Sequence, residues 1–292
     1  MEDSLKKSIG NTKRSPTIGI IGGKGQIGGF FANLFLADNL NVLISDLDTD
    51  LSNIDLVHQS DIVIISVPID TTISVIEEIV PYLSKDKLVI DMTSVKSLSS
   101  KALCLSKADV IGIHPMFNPS VGTIEHQTII LTPSRDRNGW LEKIKAYLTN
   151  KNVKIKVTTA EHHDHMMSLI QVLIHYNSIS IGITMAKMGF DIHETLEYTS
   201  PIYRMELAMI GRIFAQNGRL YGNIPMHNPY TQKTILEHKL TLEEMSKIIL
   251  TKDLDAFTEK FSMASDFFND FKAKAMVESN YLIKQLVKYG EN

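Results

Sequence analysis

The chain has 292 residues, of which 43% are apolar and 22% charged, and 30 basic against 33 acidic residues give a net charge of −3. This composition excludes disordered and collagen-like proteins, and the balanced charge provides no basic field for nucleic acid or anionic lipid. The polar N-terminal stretch lacks the apolar core of a signal peptide, and no unbroken apolar run reaches the ~18 residues of a membrane span. We therefore expect a cytoplasmic protein that acts on a small molecule, without nucleic-acid or membrane partners.

The first half of the chain alternates short apolar runs with amphipathic stretches. A polar tail over residues 1–16 precedes them. Strands are predicted at residues 17–21, 42–45, 62–67, 88–92, 110–113, 128–131 and 154–157, and helices at 26–37, 71–82 and 139–148. Strands that alternate with helices form parallel sheets covered on both faces. The pattern predicts an α/β, Rossmann-type dinucleotide-binding domain over residues 17–159.

The pattern changes after Thr158 to long helical segments, which predict an all-α domain over residues 160–292. Helices are expected at 161–188, 202–214, 240–249 and 254–288, with Ser200 and Pro201 providing a helix start. Several segments are apolar on more than one face, as in residues 202–210. Such helices are buried, and we expect them to form the core of a homodimer.

A glycine-rich turn follows the first predicted strand and precedes the first predicted helix. The sequence Gly23-Lys24-Gly25-Gln26-Ile27-Gly28 fits the dinucleotide pattern G-x-G-x-x-G in that context. Its glycines permit a tight turn, a close approach to a pyrophosphate and close helix packing. Asp46 ends the second strand, 18 residues after Gly28, where an acid binds the adenosine ribose. Its charge repels a 2′-phosphate, so the sequence predicts NAD as the cofactor.

The candidate base is His114, which directly follows the predicted strand at residues 110–113. Ligands of open α/β sheets collect at the carboxyl ends of strands, and an ordinary histidine pKa near ~6.5 suits proton transfer at neutral pH. A histidine satisfied inside the core is the alternative. Ser94 and Lys96 follow another strand, where they either line the same cleft or provide turn polarity.

Polar residues recur along the predicted helix 161–188. Asp164, Ser168, Gln171 and His175 are spaced to share one face of a regular helix, which is either a wall of the substrate cleft or a solvated face. The nearby cluster of His162, His163, Asp164 and His165 offers one i, i+3 pair and no further ligands. We therefore predict no metal site.

Arg212 lies in an apolar helix with no acidic residue three or four positions away. A guanidinium binds a carboxylate through two parallel hydrogen bonds, so a substrate carboxylate is a candidate partner. An ion pair with an acid of another helix is the alternative. Arg204, eight residues earlier, is a weaker candidate for the same role.

From about residue 18 onward the sequence resembles the prephenate dehydrogenase family, in particular the dehydrogenase part of the bifunctional chorismate mutase/prephenate dehydrogenases. The shared motifs are Gly22 to Gly28, Ser66-Val67-Pro68, Ser94-Val95-Lys96, His114-Pro115-Met116-Phe117, Ile170-Gln171 with His175, and residues 200–216. The last segment is the most discriminating, because generic NAD enzymes lack it.

This resemblance implies oxidative decarboxylation of prephenate by NAD to 4-hydroxyphenylpyruvate in tyrosine biosynthesis. His114 would accept the proton of the ring 4-hydroxyl, and Arg212 would hold a substrate carboxylate. The resemblance further implies substrate contacts from Ser94, Lys96, Gln171, His175 and Arg204. The cofactor would contact Gly23 to Gly28, Asp46, Ser66, Val67 and Pro68.

Two departures from the family pattern limit what the resemblance implies. Only about 16 residues precede the first strand, so we expect no chorismate mutase domain. Asn118 replaces the glycine that usually follows the His-Pro-Met-Phe motif, which leaves arogenate or 4-amino-4-deoxyprephenate as alternative substrates. A non-catalytic NAD-binding regulator and a β-hydroxyacid or imine-reducing dehydrogenase are more remote alternatives.

Overall fold

The computed structural model describes residues 15–290. Most of the predicted polar tail, residues 1–14, lies outside the described part of the chain. The chain divides into two compact units. The first runs to Met167 and includes Gly222–Pro229, and the second comprises Ser168–Tyr221 and the segment from Tyr230 onward.

The first unit is built on a seven-stranded sheet with the order β2-β1-β3-β4-β5-β6-β7. The strands are β1 (Thr17–Ile21), β2 (Asn41–Ser45), β3 (Ile62–Ile65), β4 (Leu88–Asp91), β5 (Asp109–Pro115), β6 (Thr128–Arg135) and β7 (Lys154–Val157). Five helices belong to the same part of the sequence: α1 (Gln26–Ala37), α2 (Asn53–Gln59), α3 (Ile69–Ile79), α4 (Ser97–Leu103) and α5 (Trp140–Thr149). The Rossmann-type fold predicted from the alternating pattern is confirmed.

The sequence pattern predicts a parallel sheet, but the sheet is not parallel throughout. Strands β1 to β5 are parallel, whereas β6 pairs antiparallel with β5, and β7 pairs parallel with β6. Only a short 3₁₀ turn, Pro119–Val121, lies between β5 and β6. A parallel return needs a crossover connection, usually a helix, so this connection reverses the chain direction instead.

Alternate residues of each central strand point to opposite faces, which produces two apolar cores. Ile18, Ile20 and Ile64 face one core, which α1 and α5 close with Phe31, Phe35, Trp140 and Tyr147. Ile21, Val63 and Ile65 face the other, which α2, α3 and α4 close with Leu56, Ile76 and Leu103. Helices on both faces explain why these strands are apolar along their whole length.

The remaining helices are α6 (Ala160–Met188), α7 (Ile192–Glu197), α8 (Pro201–Phe214), α9 (Gly218–His227), α10 (Thr231–Leu250), α11 (Leu254–Phe268) and α12 (Phe271–Gly290). Residues Ser168–Leu173 of α6 are π-helical. The continuous helix predicted over 254–288 is instead two helices, because Asn269 adopts a positive φ of 42° between them. In the second unit α6 and α8 approach closely: a Cβ on Gly182 would lie 2.2 Å from the Phe214 ring.

Helix α6 is the one helix of the described residues that is long and apolar enough to cross a membrane by length and composition. Core helices of soluble proteins pass the same test. Large apolar side chains of α8, among them Tyr203, Met209 and Phe214, are exposed in the single chain. The burial predicted for these helices is therefore not achieved within one chain.

Candidate active site

The loop between β1 and α1 forms a glycine-rich turn at the carboxyl end of the sheet. Gly22 (φ 79°), rather than Gly23, adopts the left-handed conformation, and a Cβ on Gly28 would lie 2.3 Å from the Gly22 carbonyl oxygen. Helix α1 begins after Gly25, and within residues 15–290 no side chain caps it. Its first N–H groups and its dipole therefore suit an anion.

The strand order reverses between β1 and β3, which is where open α/β sheets bind ligands. Ser66 follows β3, and its carbonyl oxygen would lie 2.4 Å from a Cβ on Gly22, so the two loops are in close contact. Asp46 follows β2 and accepts a hydrogen bond from the Lys24 N–H at 2.8 Å. The structure thus brings together the residues predicted to bind the cofactor: Gly23, Lys24, Gly25, Gln26, Ile27, Gly28, Asp46, Ser66, Val67 and Pro68.

His114 lies near the carboxyl end of β5 and is 3% exposed. Its Nδ1 is 2.8 Å from Nε2 of His163, and Nδ1 of His163 is 2.8 Å from Oδ1 of Asp164. Burial, followed by the neighbouring charges of His163 and Lys96, holds the pKa of His114 well below its ordinary value. The imidazole is therefore neutral at pH 7, as a general base requires.

Lys96 was predicted to line the cleft or to provide turn polarity, but it does not line a cleft. It is fully buried, and its ammonium donates hydrogen bonds to the Asp91 carbonyl, the Asp91 carboxylate and the Ile113 carbonyl at 2.8, 2.9 and 2.8 Å. An ammonium has three donor hydrogens, so none remains for a substrate. The position beside β4 and β5 makes Lys96 a buried structural cation next to His114.

Ser94 and Asn118 flank the same edge of the sheet. Ser94 is half-buried in the segment after β4. Asn118 has an ordinary φ of −89°, and its side chain accepts a hydrogen bond from the Ser120 N–H at 2.9 Å. Because this backbone does not need a glycine, Asn118 is accommodated without strain in the loop that follows the His-Pro-Met-Phe motif.

The polar residues of α6 do not form the single stripe that the spacing predicts. Asp164 is completely buried and Ser168 is 5% exposed, so neither lies on a solvated face. The π-helical residues Ser168–Leu173 also break the regular spacing, because their hydrogen bonds join residues five apart. Asp164 therefore contacts His163, the neighbour of His114. Of the four polar residues of α6, Gln171 and His175 remain as predicted substrate contacts.

His175 is half-buried in the second unit, and its ring packs edge-on against Tyr221 with centroids 4.8 Å apart. Burial lowers its pKa, and its Nδ1 has no hydrogen-bond partner within residues 15–290. Gln171 is half-buried in the π-helical stretch, one turn before His175. Both side chains present polar atoms of the kind that orient a ligand.

Arg212 and Arg204 are exposed on α8. In the described part of the chain, no carboxylate forms an ion pair with Arg212. The alternative to a substrate carboxylate was an ion pair between Arg212 and an acid of another helix. Within residues 15–290 this ion pair is not formed. Arg204 lines a groove with Glu197, Ser200 and Leu286.

Two family models match consecutive parts of the sequence. The prephenate dehydrogenase nucleotide-binding domain matches residues 37–157, and the prephenate dehydrogenase dimerization domain matches residues 159–263. The chain belongs to the prephenate dehydrogenase family. It is therefore an oxidoreductase with a nucleotide-binding domain, and its C-terminal part matches a domain described as a dimerization domain.

Curated relatives support membership of the prephenate dehydrogenase family. The T-protein of Haemophilus influenzae is 35% identical over 270 residues, which cover 91% of this chain and 71% of that protein. A probable arogenate/prephenate dehydrogenase of Methanocaldococcus jannaschii is 34% identical over 86% of this chain and 61% of its own length. Their names do not distinguish between prephenate and arogenate as the substrate.

A solved structure has the same fold. Prephenate dehydrogenase from Aquifex aeolicus, in complex with hydroxyphenyl propionate and NAD⁺, superposes with a TM-score of 0.70 at 19% identity, covering 91% of this chain and 99% of that one. At this identity the likeness shows the fold alone.

In this prephenate dehydrogenase family member, the candidate base His114 contacts His163, a residue that was not predicted from the sequence. The cluster at 162–165 suggested only a metal site. Ala160, His163, Asp164, Met167 and Ser168 are the buried positions at the start of α6, and they recur at the spacing of one helix face. That spacing is the signal that would have placed His163 on the inward face.

Proposed function

We propose that this protein catalyses the NAD-dependent oxidative decarboxylation of prephenate to 4-hydroxyphenylpyruvate, a step of tyrosine biosynthesis. The observation that carries the proposal is His114, a buried and neutral imidazole near the carboxyl end of β5 in a chain of the prephenate dehydrogenase family. A neutral imidazole in that position suits removal of a proton from a substrate hydroxyl.

The turn after β1 fits NAD. A Cβ on Gly28 would clash with Gly22, α1 offers N–H groups that no described side chain caps, and Asp46 suits ribose hydroxyls while repelling a 2′-phosphate. When bound there, NAD supplies the hydride acceptor. Lys24 adds a positive charge near the turn, although its ammonium is 2.9 Å from the Asp48 carboxylate.

His114 accepts the proton of the ring 4-hydroxyl as that carbon is oxidised. Loss of the ring carboxylate as CO₂ then yields the aromatic product. The electrons of the broken C–C bond complete the ring and move onto the 4-oxygen, which takes the proton back from His114 to become the phenol. The positive charge that forms on His114 is compensated by the ionised Asp164, which contacts His114 through His163. Burial strengthens this compensation because it lowers the local dielectric.

Arg212 is proposed to hold a substrate carboxylate, since no described carboxylate of its own chain pairs with it. Ser94, Gln171 and His175 are proposed as further contacts, and Arg204 as an auxiliary cation. Lys96 is not among them because its three donors are used within the protein.

We also propose that the protein works in the cytoplasm as a homodimer formed through its helical part. The exposed apolar side chains of α8, such as Met209 and Phe214, are 62% and 53% exposed in the single chain. Burying such surface between subunits stabilises a dimer by about 25 cal/mol per Å² of apolar area.

The test is NADH formation, followed by near-ultraviolet absorbance, with prephenate, arogenate and 4-amino-4-deoxyprephenate offered separately. We expect turnover of prephenate, and a loss of about 10²-fold or more in kcat for His114→Asn. The matched control is His126→Asn, an exposed histidine of the same unit (75%), which should leave kcat unchanged.

The other outcomes are distinct. Turnover of arogenate or the amino analogue instead of prephenate would overturn the substrate assignment and retain the role of His114. Binding of NAD without turnover of any of the three would indicate the non-catalytic regulator. Near wild-type turnover by His114→Asn would remove His114 from its proposed role as the base.

A further inference from the structure

Three buried side chains of the first unit form a continuous line. His114 of β5 is followed by His163 and then Asp164, with two contacts of 2.8 Å each. Their exposed fractions are 3%, 1% and 0%. His163 thus connects the proposed base to a buried carboxylate.

Asp164 is held in its ionised form. Its Oδ1 accepts hydrogen bonds from the Lys96 N–H and from His163, and its Oδ2 accepts from the Ser97 N–H and hydroxyl, at 2.5–2.8 Å. Burial alone would raise the pKa of Asp164, but these hydrogen bonds outweigh burial and lower it. An ionised carboxylate only accepts hydrogen bonds.

The ionised carboxylate determines which nitrogens carry protons along the line. His163 must donate from Nδ1 to Asp164, and burial lowers the pKa of His163, so its ring is neutral and its Nε2 carries a lone pair. The Nδ1 of His114 must then donate to that lone pair. In a neutral His114 this leaves the lone pair on Nε2, because a neutral imidazole has one N–H.

We propose that His163, anchored by Asp164, is a positioning residue that fixes His114 in the tautomer whose Nε2 accepts the substrate proton. This inference rests on the proposed function of His114 as the base. His163 touches neither substrate nor cofactor in this role. It acts through His114, orienting the ring before the reaction and sharing the positive charge once Nε2 is protonated.

The nearby charges agree with this arrangement. Lys96 is the buried cation next to both histidines, and it is paired with Asp91 at 2.9 Å. Its charge disfavours a second positive group in the resting site. Asp164 is the carboxylate that contacts this line directly, so the charge that appears when His114 is protonated is stabilised along the line from His114 to Asp164.

The tautomer is tested directly by ¹⁵N NMR of the full chain labelled at histidine, without substrate. Ring-nitrogen shifts distinguish protonated from unprotonated nitrogens. We expect His114 to be protonated at Nδ1 and unprotonated at Nε2. In His163→Leu, which removes the acceptor, we expect the proton to distribute between both nitrogens. A wild-type His114 protonated at Nε2, or an unchanged tautomer in His163→Leu, would overturn the proposal.

Kinetics separate positioning from a merely structural role. We expect His163→Leu to lower kcat by about 10–10²-fold with little change in KM. His163→Gln retains a side-chain oxygen able to accept from His114, so it should recover part of that loss and keep the tautomer. The matched control, His162→Leu, changes the adjacent exposed histidine of α6 and should leave both readouts unchanged.

Equal losses in the Leu and Gln variants, with the wild-type tautomer in both, would show that His163 only supports the fold. If His163→Leu does not fold, the wild-type spectrum and His163→Gln still decide the question. The tautomer is measured without turnover, so it stands apart from the proposed function. That function fails if His114→Asn keeps its activity, whereas the positioning proposal fails if the spectrum shows the other tautomer.

Discussion

Replacement of Lys96 by methionine should strongly destabilise the nucleotide-binding unit. The ammonium makes three hydrogen bonds of 2.8–2.9 Å, and the side chains of Lys96 and Asp91 are 0% and 1% exposed. Methionine fills most of the space of the lysine stem, so the cavity contribution is small. The main cost is that the buried Asp91 carboxylate loses its counter-charge. Removing one partner of a buried ion pair costs about 3–5 kcal/mol.

The lower end of that range applies here. Asp91 keeps two other donors, the Thr93 N–H at 2.8 Å and the Ser99 hydroxyl at 2.6 Å. These hydrogen bonds continue to stabilise the carboxylate, whereas the Asp91 and Ile113 carbonyls each lose a donor, at about 1 kcal/mol apiece. We expect Lys96→Met to lower the free energy of unfolding by about 3–4 kcal/mol.

Urea denaturation followed by tryptophan fluorescence measures this loss, because Trp140 is the single tryptophan and is buried in the same unit. Lys145→Met is the control: its ion pair with Glu142 is exposed and should contribute about 0.2–1 kcal/mol. The double variant Lys96→Met/Asp91→Asn should recover about 1–3 kcal/mol of the single-variant loss. A Lys96→Met chain as stable as Lys145→Met would refute the reasoning.

Three further changes probe the cofactor turn and the base. Asp46→Ser removes the carboxylate that repels a 2′-phosphate, so the kcat/KM preference for NAD over NADP should fall about tenfold or more. Asp50→Asn, at an exposed aspartate of the same loop, is the control and should keep the wild-type preference. An unaltered preference in Asp46→Ser would contradict the role of Asp46. Gly28→Ala places a Cβ 2.3 Å from the Gly22 carbonyl oxygen, so calorimetry should show a lower Tm and weaker NAD binding. An unchanged affinity for NAD would show that the turn does not hold the nucleotide. Burial lowers the pKa of His114, so the folded chain keeps it neutral while the unfolded chain protonates it below about pH 6.5. The unfolding free energy should therefore decrease as pH falls below that value, by up to about 1.4 kcal/mol per pH unit for this group, and His114→Asn should show a shallower slope in urea titrations at pH 5 to 7.5.

The sequence determined the class of fold because local patterns report directly on secondary structure. The short apolar run at 17–21 coincides with β1, the strand predicted at 154–157 coincides with β7, and the apolar spacing of 26–37 coincides with α1. Apolar runs in buried strands and the 3.6-residue apolar spacing of helices depend on neighbours along the chain. The glycine turn and the position of His114 after an apolar strand follow from the same local information.

Features that depend on residues distant in sequence came only from the tertiary structure. The reversal of β6 depends on pairing with β5 across a loop that contains no crossover helix. Lys96 is buried because Asp91 and the Ile113 carbonyl surround it, although a lysine after a strand ordinarily indicates an exposed residue.

The contact between His114 and His163 shows the same limit, because it joins residues 49 positions apart. Nothing in the periodicity of either segment specifies which strand end faces which helix turn. The sequence by itself identified the proposed base and the type of cofactor turn. The groups that surround His114, and with them its pKa and tautomer, are set by how the first turns of α6, Ala160–Met167, pack in the unit that contains the sheet. Burial and charge act through space rather than along the chain.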